Sequence, residues 1–184
     1  MGKIAKDKEM QVSSQIDAAA QAKPGFYQEL CEKLQDLLGN ETDFVANAAN
    51  ASALLFHSLP DVNWAGFYIF RDGKLIVGPF QGKPACVHIP LGKGVCGTAA
   101  KKKETVVVPD VTKFKGHIAC DPASKSEIAV PLLNCGKLIA ILDVDSGSLN
   151  RFDEDDQEGL EAFASILVGS LITEDMPNLS DIAN

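Results

Sequence analysis

The chain has 184 residues, 46% hydrophobic and 23% charged, enough for one domain with a buried core and too little for two full-sized ones. Its net charge of −8 excludes nucleic acid as a main partner, because phosphate recognition needs clustered Lys and Arg; the basic run Lys101-Lys102-Lys103 meets Glu104 at once and reads as a solvated turn. No stretch reaches the roughly 18 apolar residues of a membrane span, the start Met1-Gly2-Lys3-Ile4-Ala5-Lys6-Asp7 has no apolar signal-peptide core, and the expectation is a cytoplasmic protein.

Residues 1–22 are polar and rich in Ala, Gln and Lys, an extension outside the domain. Pro24-Gly25 punctuates, and Phe26, Leu30, Leu34 and Leu37-Leu38 then recur at helical spacing until Gly39-Asn40. Thr42 or Asp43 can cap a second helix, with Phe44, Val45, Ala48, Leu55 and Leu59 as apolar positions and Pro60 at its end. The pattern then turns to strands. Trp64–Phe70 is short and aromatic, Arg71-Asp72-Gly73-Lys74 is a hairpin turn, and Leu75–Val77 returns. Val87–Ile89 and Thr105–Val108 are further strands. Ile128–Leu133 and Lys137–Asp145 make a second hairpin across Asn134-Cys135-Gly136. Asp153-Glu154-Asp155-Asp156 opens a last helix with the negative charge that a helix N-terminus favours, and Leu160, Phe163 and Leu167 form its buried stripe. A polar tail follows over 173–184. Two helices, about six strands and one helix describe a single α+β domain over 23–172, an antiparallel sheet with helices packed on one face.

Five cysteines in a reducing compartment point to catalytic, metal-binding or buried thiols rather than a disulfide framework. Cys31 sits in the first helix as a small hydrophobe, and Cys135 sits in a tight turn. Cys86, Cys96 and Cys120 lie instead in glycine-punctuated backbone outside the helices and strands, on loops long enough to meet. The bland alternative is three unrelated thiols. Cys86 with His88 and Cys120 with His117 offer thiol–imidazole pairs. The compact Cys-x2-Cys of structural zinc sites is missing, so no metal and no cofactor is expected.

Asp143 and Asp145 are two apart on one strand and leave the same face, while Leu142 and Val144 leave the other. Glu127 shares its face of the neighbouring strand with Ala129 and Pro131. Pairing through the Asn134–Gly136 turn lets Glu127 converge with both aspartates. Crowded carboxylates raise at least one pKa, which makes a proton donor. The alternative is the wet face of a half-exposed sheet. Trp64, Gly66 and Tyr68 also share a face, and Gly66 leaves a slot between two aromatic rings for a methyl group or a cation. A plain aromatic core face is the competing reading.

These segments together resemble the GAF-domain free methionine-R-sulfoxide reductases. The resemblance is carried by Asn63-Trp64-Ala65-Gly66-Phe67-Tyr68, Gly78–Cys86, Gly92-Lys93-Gly94-Val95-Cys96-Gly97, His117–Asp121, Ser124–Ile128 and Leu142–Ser146, and runs from about residue 25 to 170. It implies reduction of the free amino acid sulfoxide, with Cys120 as nucleophile passing through a sulfenic acid. Cys96 or Cys86 would then close a disulfide with Cys120; the family gives the recycling role mainly to the position of Cys96, and the choice stays open here. Thioredoxin would be the reductant. Trp64 and Tyr68 match residues that hold the methyl group, and Glu127, Asp143 and Asp145 match those that bind the sulfoxide and the amino group. His117 or Lys125 could favour the thiolate. Two copies could pair through terminal helices, as GAF-like domains often do. The rivals are a non-catalytic GAF-like sensor of a small ligand or of redox state, and a zinc-stabilised interaction domain.

Overall fold

The computed structural model describes residues 23–171. The expected extension over 1–22 and tail over 173–184 lie outside the described residues. The first helix, α1, covers 23–38 of them. It is followed by α2 (Phe44–Ser58), β1 (Trp64–Arg71), β2 (Lys74–Gly82), β3 (His88–Pro90), α3 (Gly94–Lys102), β4 (Val106–Val108), a 3-10 turn (Val111–Lys113), β5 (Ser126–Asn134), β6 (Lys137–Ser146) and α4 (Glu154–Gly169). No described helix is long and apolar enough to cross a membrane.

The six strands form one antiparallel sheet in the order β3-β2-β1-β6-β5-β4. Both expected hairpins form for a local reason. A two-residue turn that matches strand twist needs positive φ at both central residues. Asp72 (φ 50) and Gly73 (φ 76) supply it in one, Cys135 (φ 49) and Gly136 (φ 75) in the other.

The period of two along β1, β5 and β6 sorts the side chains between two faces. Ala65, Phe67, Ile128, Val130, Leu142 and Val144 turn to one side, where Tyr27, Leu30 and Leu34 of α1, Leu55 of α2 and Leu160, Phe163 and Leu167 of α4 close over them. Each such leucine contributes about 1.5–3 kcal/mol relative to exposure. Asp43 caps α2 by accepting from the Ala46 N–H, and Asp153 and Asp156 form a capping box at the start of α4.

The opposite face carries Trp64, Tyr68, Ala129 and Ile141, and α3 packs there through Val95, Cys96, Ala99 and Ala100. This short helix corrects the expectation that Cys96 lies on a loop. Its glycines allow close docking rather than mobility: a Cβ on Gly97 would collide with the Pro90 carbonyl, and the Gly92 N–H donates to the Gly97 carbonyl at 2.6 Å. The Lys101–Lys103 run is therefore the end of α3 and its cap, with Lys103 left-handed (φ 58), and all three remain exposed.

Candidate active site

Strand register gathers the acids. Glu127 pairs with Asp145 and Ala129 with Asp143 across β5 and β6; on the other side of β6, Trp64 pairs with Asp145 and Gly66 with Asp143. The expected convergence of Glu127, Asp143 and Asp145 therefore forms. The face is not wet: Glu127 is 6% and Asp143 5% exposed. All three line one pocket with Trp64, Tyr68, Cys96, His117 and Cys120.

The electrostatics follow from that burial. Desolvation, and then the charge of Asp145, push the Glu127 carboxyl up to about 8, against hydrogen bonds from Asp143 and Cys96 that pull it down. Burial and the charge of Glu127 raise Asp143; burial and then Asp143 raise Asp145. Asp143 Oδ1 is buried with no hydrogen-bond partner, a vacancy that costs free energy unless a donor fills it. The Cys96 thiol donates to Glu127 Oε1 at 3.6 Å, and burial above all, then Asp143, holds it protonated. Cys96, Glu127 and Asp143 each bring an atom within 4.8 Å of the others, close enough for one small cation to touch all three. His88 is exposed, so the Cys86–His88 pair offers no enclosed metal site.

The thiols separate into a pair and a single. Cys86, on the flap between β2 and β3, is disulfide-bonded to Cys120, on the loop before β5, with Cα atoms 5.5 Å apart. Cys96 is a buried free thiol beside the acids. Cys31 is half-buried against the helical core and Cys135 is exposed at its turn. Lys83 ties the flap to the Cys120 loop through Asp121 at 3.2 Å, a link that sequence reasoning missed. The cue was present only as a lysine and an aspartate each next to a thiol segment.

His117 lies on the Cys120 loop with Nε2 3.6 Å from Glu127 Oε2, and burial lowers its pKa, which favours the neutral ring. Lys125 is not part of the site: its side chain is exposed, and its backbone bonds to Ser146 and Val111. Trp64 and Tyr68 stack with ring centroids 5.8 Å apart. The expected slot at Gly66 is closed, because Phe80 lies where a Cβ on Gly66 would be and stacks on Trp64 at 5.2 Å. The aromatic wall is thus Phe80, Trp64 and Tyr68 in a row. The indole N–H donates to the Lys83 carbonyl, anchoring the Cys86 flap to the sheet.

Comparison with known proteins agrees with this geometry. The GAF domain profile matches residues 27–171. Protein YtsP of Bacillus subtilis is 54% identical over 79% of this chain and 90% of its own. The free methionine-R-sulfoxide reductase of Escherichia coli is 48% identical over 83% of this chain and 93% of its own. The X-ray structure of the free methionine-R-sulfoxide reductase from Neisseria meningitidis in complex with its substrate superposes with a TM-score of 0.78, at 43% identity, over 80% of this chain and 89% of that one. The α+β sheet, the paired thiols and these relatives converge: the chain belongs to the GAF-domain family, in its free methionine-R-sulfoxide reductase branch.

Proposed function

We propose that this protein reduces free L-methionine-(R)-S-oxide to methionine, with electrons delivered through thioredoxin. The single observation that carries the reading is the disulfide between Cys86 and Cys120 at a pocket lined by three carboxylates. A sulfoxide oxygen leaves only when protonated, so the site needs a neutral acid at physiological pH. Glu127, held up to about 8, is that acid.

The Cys120 thiolate attacks the sulfoxide sulfur while Glu127 protonates the oxygen. The oxygen passes to Cys120 as a sulfenic acid, and methionine departs. The Cys86 thiol then attacks the Cys120 sulfur, water leaves, and the disulfide closes. One sulfoxide and two thiols thus become one thioether, one disulfide and one water. Thioredoxin returns both thiols. Trp64 and Tyr68 hold the methyl end, and the unpartnered Asp143 Oδ1 together with Asp145 receives the substrate ammonium. Cys86, rather than Cys96, closes the cycle here, since Cys96 sits beneath the pair as a protonated thiol.

Single-turnover assays of protein reduced with dithiothreitol and then freed of it, with separate R and S epimers, test the reading. Wild-type protein should release stoichiometric methionine from the R epimer alone, and Cys120→Ser should release none. Methionine from Cys120→Ser would remove Cys120 from the role of nucleophile. No methionine from the wild type would leave a sensor.

A further inference from the structure

The disulfide has to be reopened from outside, and the surface around it differs from the rest of the molecule. Val87, next to Cys86, is 58% exposed, and Leu91, at the end of β3, is 37% exposed. Two of the five large hydrophobic side chains exposed among the described residues therefore lie within five positions of one half-cystine. β3 is an outer strand that, among the described residues, pairs only with β2 and has no strand along its other edge. Isolated apolar side chains need no explanation, but apolar groups beside an open edge and a reactive bond mark a contact site.

The charge is also inverted here. Residues 83–125, which carry all three site cysteines, hold eight lysines against Glu104, Asp110 and Asp121, a balance of +5 in a chain of −8. Lys83 lines the pocket with the disulfide, and three more of these lysines lie on or next to the Gly92–Gly94 turn at its border. Lys83 is on the flap, 68% exposed. Lys93 is exposed at the head of α3. Lys101 runs alongside the Leu91–Lys93 turn, its Cδ 3.0 Å from where a Cβ on Gly92 would stand. Lys115 precedes Gly116, whose carbonyl accepts from the Gly94 N–H. Of the four, only Lys83 has a carboxylate partner among the described residues.

We propose that this rim is the docking surface for an acidic dithiol protein, and that the incoming thiolate attacks the sulfur of Cys86. The inference rests on the reductase reading above and adds to it a surface and a choice of sulfur. An acidic partner is steered to a lysine-rich rim on a chain whose net charge is −8. Val87 and Leu91 give it apolar contact that a small tripeptide thiol would not use. The choice of sulfur follows from charge. A thiolate approaching Cys120 meets the Asp121 carboxylate next to it in the chain, which the Ala123 N–H holds ionised. A thiolate approaching Cys86 meets Lys83 and Val87. The partner sulfur bonds to Cys86, and the electrons of the broken S–S bond leave with Cys120 as a thiolate. The partner's second thiolate then attacks the mixed disulfide, Cys86 departs and takes up a proton, and the partner carries the disulfide away. Cys120 is released in the ionisation state that the next cycle requires.

The test compares two electron donors on two double variants, Val87→Ser/Leu91→Ser and Lys93→Glu/Lys101→Glu, none of whose positions lines the pocket. With an acidic thioredoxin, kcat/KM should fall about tenfold in each, within the range by which rim changes alter association. The lysine variant should also lose most of the salt dependence. With dithiothreitol both variants should turn over like the wild type, which controls for folding. A thioredoxin lacking its second cysteine should be trapped on Cys86. Unchanged thioredoxin rates, equal losses with both donors, or trapping on Cys120 would each overturn the proposal. Absence of dithiothreitol-driven turnover in the wild type would instead count against the reductase reading itself.

Discussion

Two buried clusters of carboxylate chemistry sit on opposite faces of one sheet, and they solve the same problem in opposite ways. Asp156, 1% exposed in α4, is surrounded by donors: Lys23 Nζ at 2.8 Å, Tyr27 Oη at 2.8 Å, Arg151 Nη1 at 3.0 Å and the Asp153 N–H at 3.0 Å. Burial pushes its carboxyl up, but the bonds from Lys23, Asp153 and Tyr27 and the charge of Arg151 outweigh it, and the net shift is downward. Glu127 and Asp143 are buried and Asp145 half-buried, with no Lys or Arg paired to them among the described residues, and all three shift upward. Asp156, the most deeply buried of the four, is thus the permanent anion, and the thiol face holds the proton reservoir. The number of donors decides which.

The largest expected effect is on chemistry. Glu127→Gln should lower the rate of methionine release about 10²–10⁴-fold, the usual contribution of a positioned general acid. Wild-type activity should fall as pH rises through about 8, where Glu127 loses its proton. The same group acts on stability with a definite sign. Its folded pKa is raised, so the unfolded state releases the proton first, and stability declines as pH climbs from about 4.5 toward 8. Glu127→Gln should remove its part of that decline, read by denaturant unfolding across pH; a steeper decline would contradict the assignment.

Asp156→Ala should act the other way, costing about 3 kcal/mol of unfolding free energy by leaving the nearly buried Arg151 without its counter-charge, while Lys23 keeps Asp153. Activity per folded molecule should stay near wild type. Because the Asp156 pKa is depressed, its contribution is present above pH 3.8 and is lost as pH falls through the lower folded value, so the variant should show a weaker acid-side loss. Tyr27→Phe is the smallest change. It deletes one bond to a well-satisfied carboxylate and should cost about 1 kcal/mol, measured by thermal unfolding, with no change in turnover.

Where residues repeat at a fixed period, sequence reasoning went far. The alternation Leu142-Asp143-Val144-Asp145, read with the turn at Asn134–Gly136, was enough to bring Glu127 opposite the aspartates, because a strand's faces are set by period alone. It failed where packing overrides local preference. Gly94-Val95-Cys96-Gly97 reads as loop, yet it is helical because Gly97 meets the Pro90 carbonyl and only a residue without a side chain fits there. The space above Gly66 looked open because Phe80, fourteen positions on, fills it from the next strand. The bond between Cys86 and Cys120 was also beyond sequence: it spans 34 positions, and only the three-dimensional path of the flap brings the two together.

The anchoring of Lys23 to Asp153 and Asp156 has a practical side. Together with Leu171, which belongs to the helical core, it fixes where the described domain begins and finishes, on the side of the sheet away from the thiols. A fluorescent reporter or affinity handle joined directly at residue 23 or 171 would emerge behind the barrier formed by the strands. It would leave the mouth of the reaction chamber unobstructed, so immobilised or labelled forms should keep their full catalytic throughput.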